Sequence, residues 1–262
     1  MGILFDADGE YISHGSGANL DDLSTFTVAC WYYPTTIDTS YRVFLGKFSD
    51  AGADLGWYLA ASDKWDGSVP QGLNVFRKYD TVAQSGFSSD NFFTLNAWNF
   101  VGVYFPGAGT NPSIYHGTLS KTVADDTEQP INAGSGGLTS DAALNLYAGG
   151  YTESQIARGT IGFYAIWNGQ VSLNGLKAVQ FNPLAAMQVG DCRLLSIPGL
   201  HGASTIVDLS GNNNTGSVTN ATASSVHLPI SINFGLAEEQ SYIVSAVPTG
   251  FMTTNTGYWG SI

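Results

Sequence analysis

The chain has 262 residues, of which 44% are hydrophobic and 11% are charged, and it contains 32 glycines. This composition is typical of one large β domain, or two small ones, with many tight turns, and it excludes a helical bundle, which needs charged residues on its wet faces. The formal net charge of −12 at pH 7 argues against nucleic-acid and anionic-membrane partners, because an acidic surface repels phosphate groups.

The chain is predicted to begin with two short strands. Residues 2–13 are expected to form them around the turn from Asp6 to Gly9, since Gly9 supplies the positive φ angle that such a turn requires. The run FTVACWYYP, from Phe26 to Pro34, is the strongest strand signal in the chain. Its alternating side chains are apolar or aromatic on both faces, so we expect this strand to be covered on both sides and the rest of the chain to pack around it.

Seven further short strands are bounded by Gly, Asp or Pro residues. They are predicted at residues 42–48, 56–62, 72–80, 98–105, 113–120, 143–150 and 159–167. The fourth and fifth of these are expected to form a hairpin, and Trp31, Trp98 and Trp167 are expected to lie in the core. The polar, glycine-rich stretch 121–141 is interpreted as a surface loop.

A single short helix is predicted over residues 172–181, because Ser172 can cap its N-terminus, apolar residues follow helical spacing and Pro183 ends it. Residues 229–262 show little alternation and are predicted to form a C-terminal extension beyond a domain of residues 1–228. The predicted fold is an all-β, two-sheet antiparallel jelly-roll sandwich with one short helix and this extension.

The two cysteines, Cys30 and Cys192, make no disulfide framework, and Cys30 is expected to be a buried residue of its strand. No signal peptide opens the chain and no apolar stretch reaches membrane length, so we expect synthesis in a cytoplasm and no membrane insertion. Anything extracellular about the protein would then follow from assembly or lysis.

Five motifs occur in the order ILFDADGEYISHG, FTVACWYYP, AWNFVGVYF, LNLYAGGY and GTIGFYAIWNGQVSLNGLKAV. In this order and spacing, over residues 2–187, the chain resembles the laminin G-like, concanavalin A-like lectin/glucanase domains. The resemblance implies a jelly roll of the concanavalin A type and says much less about function.

A second resemblance comes from the C-terminal part of the chain. The segment DLSGNNNTGSV lies near the C-terminus instead of opening the domain, and HLPISINFG follows it. This order is similar to laminin G-like proteins of tailed phages, which are taken to be virion surface proteins. It implies a capsid decoration or fibre-like subunit on the virion surface, with other virion proteins and further copies of the chain as partners.

In that setting the C-terminal extension is expected to lie against an adjacent subunit. Large apolar side chains and a proline would make the contacts. The expected assembly residues are Pro229, Phe234, Tyr242, Phe251 and Trp259.

Glucanases of the resembled superfamily carry two glutamates that flank the sugar bond, usually as E-x-D-x-x-E on one strand. The glutamates of this chain, at positions 10, 128, 153, 238 and 239, do not form that pattern. The motifs G-x-S-x-G, Walker A, G-x-G-x-x-G and H-E-x-x-H are absent from the sequence as well. We therefore expect no enzymatic activity and keep a glycoside hydrolase as a remote alternative.

Calcium is the metal to consider, since the resembled domains often bind it at the rim of the sandwich. The candidate ligands are Asp208, Asn212 and Asn214, which alternate as the hard oxygen donors that Ca²⁺ prefers. Two further acidic pairs are Asp6 with Asp8 and Asp125 with Asp126. The alternative is that these residues build Asx turns, and no cofactor is required in either case.

For sugar binding, an exposed aromatic ring stacks on a pyranose while nearby polar side chains bind hydroxyl groups. The candidate residues are Trp65, Asp66, Tyr79 and Tyr151, all at predicted loops or strand ends. The alternative for Trp65 is an anchor between subunits.

The leading functional hypothesis is a non-enzymatic phage virion surface protein, a capsid decoration or fibre-like subunit, whose lectin-like domain adheres to a cell-surface glycan. The alternative is a free-standing carbohydrate-binding module, with or without Ca²⁺. A glycoside hydrolase is the remote third reading.

Overall fold

The computed structural model of the chain describes residues 2–38, 42–49, 55–62, 71–150, 156–200 and 204–230. Its strands, in chain order, are β1 (Ile3–Phe5), β2 (Tyr11–Ser13), β3 (Phe26–Pro34), β4 (Arg42–Ser49), β5 (Leu55–Ser62), β6 (Gly72–Arg77), β7 (Val82–Ser88), β8 (Asn99–Phe105), β9 (Ser113–Thr118), β10 (Ala124–Asp125), β11 (Thr127–Ser135), β12 (Leu146–Ala148), β13 (Gly159–Asn168), β14 (Asp191–Ser196), β15 (Thr205–Ile206), β16 (Gly216–Thr219) and β17 (Thr222–Ala223). The described part also contains one α-helix, α1 (Leu173–Phe181), and 3-10 turns at Ala18–Leu20, Pro183–Met187 and Pro198–Leu200. None of these helices is long and apolar enough to span a membrane.

Two antiparallel sheets contain these strands. The first has the order β10-β9-β8-β3-β13-β1-β17, and β14 pairs with the same edge of β13 as β1 does. The second has the order β11-β7-β6-β5-β4-β12-β2-β16-β15. The predicted all-β, two-sheet jelly-roll sandwich with one short helix is therefore confirmed, as is the hairpin of β8 and β9.

Strand β3 lies inside the first sheet, paired with β8 on one side and with β13 on the other. The side chains that belong to the main core between the two sheets are Phe26, Val28, Cys30 and Tyr32. Trp31 belongs to a second apolar cluster on the opposite face of the same sheet. The predicted covering of β3 on both sides is confirmed, and it follows from the period-two alternation of side chains along a strand.

The second apolar cluster is closed from outside by α1, by the turn Pro183–Met187 and by residues 226–230. Helix α1 begins after Ser172, whose hydroxyl accepts a hydrogen bond from the backbone N–H of Gly175, so the predicted cap is confirmed. The first sheet is thus buried on both faces, between the second sheet and this helical layer.

Three tryptophans join the first sheet to the layer outside it. Trp31 Nε1 donates to the carbonyl of Gln180 in α1 at 2.9 Å, and Trp98 Nε1 donates to the carbonyl of His227 at 2.9 Å. Trp167 Nε1 donates at 2.7 Å to a carbonyl of the turn that follows α1. All three side chains are buried, as predicted, and each buries a large ring while its one polar atom stays paired.

The stretch 121–141, interpreted from the sequence as a surface loop, contains strands β10 and β11, so that interpretation is wrong. Strand β11 forms an edge of the second sheet and pairs with β7, a strand that the sequence analysis does not predict. Strands β7 and β11 are poor in apolar residues and lack the alternation of apolar and polar side chains that identifies the predicted strands. Backbone pairing holds them, and a register shift between Pro130 and Asn132 accommodates a proline that cannot donate to the ladder.

Among the described residues, two histidines are buried in the sandwich. His14 contacts the Asn214 carbonyl oxygen through Nδ1 and the Tyr164 hydroxyl through Nε2, both at 2.5 Å. His116 lies 3.9 Å from the Asp126 carboxylate. Burial lowers the pKa of both histidines to about 4, because desolvation disfavours the charged imidazolium more than the neighbouring groups favour it.

Acidification is expected to destabilise the fold as the pH falls from 6.5 towards 4. The unfolded chain takes up protons on both histidines near their ordinary pKa of 6.5, whereas in the folded chain the pKa is about 4. The unfolded state therefore binds more protons in this window, and each histidine lowers the free energy of unfolding by about 1 kcal/mol at pH 5.5 relative to pH 7.5. Urea unfolding at the two pH values measures the change. His116→Gln should remove about half of this pH dependence, and a urea midpoint that does not move would contradict the assignment.

Candidate functional site

The outer face of the second sheet carries aromatic side chains. Leu59 in β5 and Val75 in β6 belong to the main core, so strand alternation places Tyr58 and Phe76 on the opposite face. Tyr58 and Phe76 are opposite each other in the register, and their rings stack with centroids 5.1 Å apart and planes inclined by 11°. Phe48 packs against Tyr58 with ring centroids 5.3 Å apart, and this contact helps to fix the orientation of the tyrosine ring.

A row of positions crosses five strands of this face. The register places Tyr147, Gly46, Tyr58, Phe76 and Ser85 side by side on β12, β4, β5, β6 and β7. With a strand spacing of about 4.8 Å, the row is about 19 Å long. Tyr11 on β2 extends it, because its ring meets the ring of Tyr147 edge-on at 5.3 Å. Tyr11, Tyr58, Phe76 and Tyr147 are termed the aromatic row below.

The four residues of the aromatic row are half-buried. Neutral polar groups share the face. Asn145 Nδ2 donates to the Tyr147 hydroxyl at 3.1 Å, and Ser13 and Ser85 stand opposite members of the row. Partly exposed rings with neighbouring hydroxyl and amide groups can bind a ligand that has both apolar and hydroxyl-bearing surfaces.

Of the four predicted sugar-binding residues, Tyr79 lies within the described part of the chain. Trp65, Asp66 and Tyr151 lie outside the described residues. Tyr79 is only 3% exposed, its hydroxyl donates to a backbone carbonyl of the chain at 3.4 Å, and the Arg77 guanidinium lies 5.4 Å from its ring centroid. Burial raises the pKa of Tyr79. The prediction that Tyr79 stacks on a sugar is wrong, because its ring is enclosed by the protein.

Tyr58 and Phe76 are not among the predicted site residues, although the sequence of β6 contains a signal for Phe76. In GLNVFRK, the residues that alternate with the apolar ones are Asn74, Phe76 and Lys78. An aromatic residue between two polar residues on one face indicates a ring on a wet surface, where burial in the core does not explain it.

No protein-family model matches this chain, and no curated protein sequence matches it. Among solved structures, a protein of Bacteroides ovatus provisionally assigned to carbohydrate binding superposes with a TM-score of 0.54 at 17% identity, over 89% of this chain and 63% of that one. A native heptameric SAP-like pentraxin of Limulus polyphemus has a TM-score of 0.48 at 11% identity, over 68% and 80% of the two chains. The CBM40 domain of a Ruminococcus gnavus sialidase, bound to α2,3-sialyllactose, has a TM-score of 0.45 at 13% identity, over 68% and 95%.

The fold is a concanavalin A-like jelly roll. At these identities the similarity concerns the fold alone, and the chain spans 63% of the length of the Bacteroides protein. The lectin-type fold implied by the five sequence motifs is confirmed, whereas the phage-type role and the virion location remain predictions.

The predicted calcium ligands of the jelly roll lie in the loop between β15 and β16. Asp208 Oδ1 accepts hydrogen bonds from the backbone N–H groups of Leu195 and Ser210, at 3.1 and 2.9 Å. Asp208 Oδ2 accepts from the N–H of Asn214 at 3.0 Å. Asn212 Nδ2 and Asn214 Nδ2 each donate to a backbone carbonyl of β14. These side chains make the hydrogen bonds to the backbone that the alternative interpretation, a set of Asx turns, requires. Calcium binding by them remains a prediction.

The two other acidic pairs of the jelly roll also have protein partners. Asp8 pairs with Arg158 at 3.0 Å, and the Asp126 carboxylate accepts hydrogen bonds from the hydroxyl and the backbone N–H of Ser89. Within the described ranges, no group of three or more His, Cys, Asp or Glu side chains could hold a metal ion.

Of the predicted assembly residues, Pro229 alone lies within the described part of the chain, where it is exposed. Phe234, Tyr242, Phe251 and Trp259 lie outside the described residues. Just before the extension, Leu228 and Ile230 pack against the second apolar cluster. The boundary between a domain of residues 1–228 and an extension of residues 229–262 therefore remains a prediction.

Asp208→Ala is expected to lower the free energy of unfolding by about 2–4 kcal/mol, because it leaves three backbone donors without their charged acceptor. The free energy of unfolding of Asp208→Asn should lie between those of the wild type and Asp208→Ala, since one side-chain oxygen can still accept a hydrogen bond. Urea unfolding measures the loss, and Asp90→Ala is the matched control, because Asp90 is exposed. The turn-building role predicts equal losses in EDTA and in Ca²⁺; stabilisation of the wild type by Ca²⁺ that disappears in Asp208→Ala would favour metal binding instead.

Proposed function

We propose that this jelly roll is a non-enzymatic glycan-binding domain whose ligand lies across the aromatic row. One observation carries the proposal. The first sheet is covered on both faces, whereas the outer face of the second sheet carries the stacked and half-buried pair Tyr58 and Phe76.

Sugar rings have flat faces of C–H groups and edges of hydroxyl groups. The faces can stack on Phe76 and the tyrosine rings, and the hydroxyls can exchange hydrogen bonds with Tyr147, Ser13 and Ser85. A row about 19 Å long suits a chain of several sugar units better than a monosaccharide. The net charge of −12 disfavours an acidic glycan, so the ligand class is a neutral oligosaccharide.

Binding without hydrolysis is supported by the use of Glu10, the one glutamate whose side chain lies in the described part. Its Oε2 accepts hydrogen bonds from the backbone N–H groups of Asp6 and Ala7, at 2.6 and 2.9 Å, so it stabilises the turn between β1 and β2. A glycosidase needs a pair of carboxylates across a cleft, and the Glu10 carboxylate is used to hold this turn.

Phe76→Ala is expected to weaken glycan binding by about tenfold or more, since the loss of one stacking surface corresponds to about 1.4 kcal/mol. A glycan array identifies ligands of the wild type, and calorimetry with the best neutral oligosaccharide measures the affinities. The matched control is Phe181→Ala, because Phe181 is 43% exposed at the end of α1, on the side of the molecule away from the aromatic row.

Three results would contradict the proposal. The wild type could bind no neutral glycan, Phe76→Ala could bind as tightly as Phe181→Ala, or the protein could release reducing sugar from its ligand. The urea midpoint of each variant shows whether a loss of binding reflects a loss of folding.

A second candidate function, assembly as a virion surface subunit, concerns the opposite side of the jelly roll. The predicted extension follows residues 226–230, in which Val226, Leu228 and Ile230 pack on the outside of the first sheet. The predicted extension therefore begins on the side away from the aromatic row, and the two functions are compatible. Virion partners and virion location are part of this proposal.

If the extension mediates assembly, the full chain should be oligomeric and a chain ended after Ile230 should be monomeric. This end point keeps Leu228 and Ile230, which pack against the second apolar cluster. Light scattering gives the mass of both proteins, and their urea midpoints should agree. Two well-folded monomers would remove the support for assembly.

A further inference from the structure

A lysine is enclosed between two carboxylates at one end of the second sheet. The side chain of Lys47 in β4 is 0% exposed. Its Nζ donates to Asp21 Oδ1, to Asp141 Oδ1 at 3.0 Å and to the carbonyl of Leu20 at 3.4 Å. The side chains of Asp21 and Asp141 are 19% and 11% exposed, so the group has a narrow path to solvent on the carboxylate side.

The segment that carries Asp21 is joined to the second sheet by hydrogen bonds. Arg77 in β6 is buried, and its guanidinium donates to the carbonyls of Leu23 and Ser24. Asp21 and Lys47 are therefore brought together by the fold and stay together, which is the condition for an efficient reaction between two side chains.

The two carboxylates have different surroundings. Asp141 Oδ1 also accepts a hydrogen bond from the Asp22 N–H at 2.9 Å, and the Asp141 N–H donates to Asp22 Oδ1 at 2.8 Å. Asp141 is thus fixed from two sides. Among the described residues, the Asp21 carboxylate has Lys47 as its one hydrogen-bond partner. Asp21 is therefore the carboxylate that is available to react, whereas Asp141 is positioned to accept and return a proton.

Two buried ions are costly to desolvate, and their condensation to an amide removes both charges. The geometry points to an intramolecular isopeptide bond between Lys47 Nζ and Asp21 Cγ, with Asp141 as the positioning and proton-transfer residue. This modification is independent of the proposed glycan binding, because Lys47 faces the core side of the sheet and the aromatic row lies on the other side.

The reaction balances without any oxidant or co-reactant. A proton passes from the Lys47 ammonium to the Asp21 carboxylate, which leaves a neutral amine beside a carboxylic acid. The amine lone pair attacks Cγ and the N–C bond forms. Asp141 takes a proton from the nitrogen and returns it to the departing hydroxyl, so the C–O bond breaks and one water molecule leaves through the exposed edge of the carboxylates.

The bond would tie β4 in the second sheet to the segment that leads into β3 in the first sheet. The two residues are separated by 26 positions, so the cross-link would close a loop that contains β3. Such a link would resist unfolding and proteolysis, as a disulfide of similar span does, and it would not be broken by a reducing agent.

The test is the intact mass of the purified full chain. We expect a mass lower than that of the sequence by about 18 Da, the mass of one water molecule, and a digest in which the peptides of Lys47 and Asp21 are joined. A succinimide at an Asp-Gly step causes the same loss, and one at an Asn-Gly step causes a loss of about 17 Da, but a succinimide is hydrolysed by mild alkali and the amide is not. A wild type with the full sequence mass, a loss that alkali reverses, or a link from Lys47 to Asp141 would overturn the assignment.

Variants separate the roles of the three residues. Lys47→Met and Asp21→Ala remove the reacting groups and should have their full sequence masses. Asp141→Asn keeps both reacting groups and most of the shape, and it should also have its full mass because the proton carrier is gone. The matched control Lys78→Met should keep the loss of about 18 Da, since Lys78 lies outside the cluster. Asp141→Asn with the bond intact would show that Asp141 is merely structural. The wild-type mass decides the existence of the bond even if a variant does not fold.

Discussion

The arrangement of the whole molecule depends on the burial of β3 on both faces. A strand whose two faces are both apolar must be covered by two layers, and the chain supplies them from different elements. The second sheet covers Phe26, Val28 and Tyr32, and the layer of α1 covers Trp31. The half-buried ring pair Tyr58 and Phe76 lies on the side of the sandwich away from the helix, on a face where Val43, Phe48 and Ala60 are buried. The position of the candidate site thus follows from the side on which the helix packs.

The tryptophans show how the helical layer is made specific as well as apolar. Burial of an indole ring is favourable, but its N–H group is costly to leave unpaired. Trp31, Trp98 and Trp167 each donate to a backbone carbonyl of the covering segments. These bonds fix the distance and direction of α1 and of residues 226–230 against the sheet. Helix propensity alone would leave a nine-residue helix marginal, so this tertiary contact is what stabilises it.

The sequence predicts the strands whose side chains alternate and fails where alternation is absent. Strand β3 is predicted with its correct bounds, because its apolar residues leave no doubt about the period. Strand β11, at the sheet edge, and its neighbour β7 are held by backbone pairing, and backbone hydrogen bonds have no sequence signature of their own. Candidate site residues are harder still. Tyr79 and Phe76 both lie in or next to β6, and the face on which each lies decides which is enclosed and which meets solvent. The Lys47 cluster is beyond local reasoning, since its partners are 26 and 94 positions away.

The way in which the fold uses its basic groups determines the charge of the surface and so limits the class of ligand. The chain has 9 basic residues against 21 acidic ones, and the fold uses several of the basic groups internally. Lys47 and Arg77 are buried, and Arg158 and Arg193 are paired with aspartates on the surface. Basic groups that are already paired cannot balance the remaining carboxylates, so the electrostatic potential of the surface is negative. A negative potential repels anionic ligands, including those that carry phosphate groups. Under the proposed function, affinity would come from shape, stacking and neutral hydrogen bonds at the aromatic row. The acidic surface would not repel a neutral oligosaccharide, because that ligand has no charge.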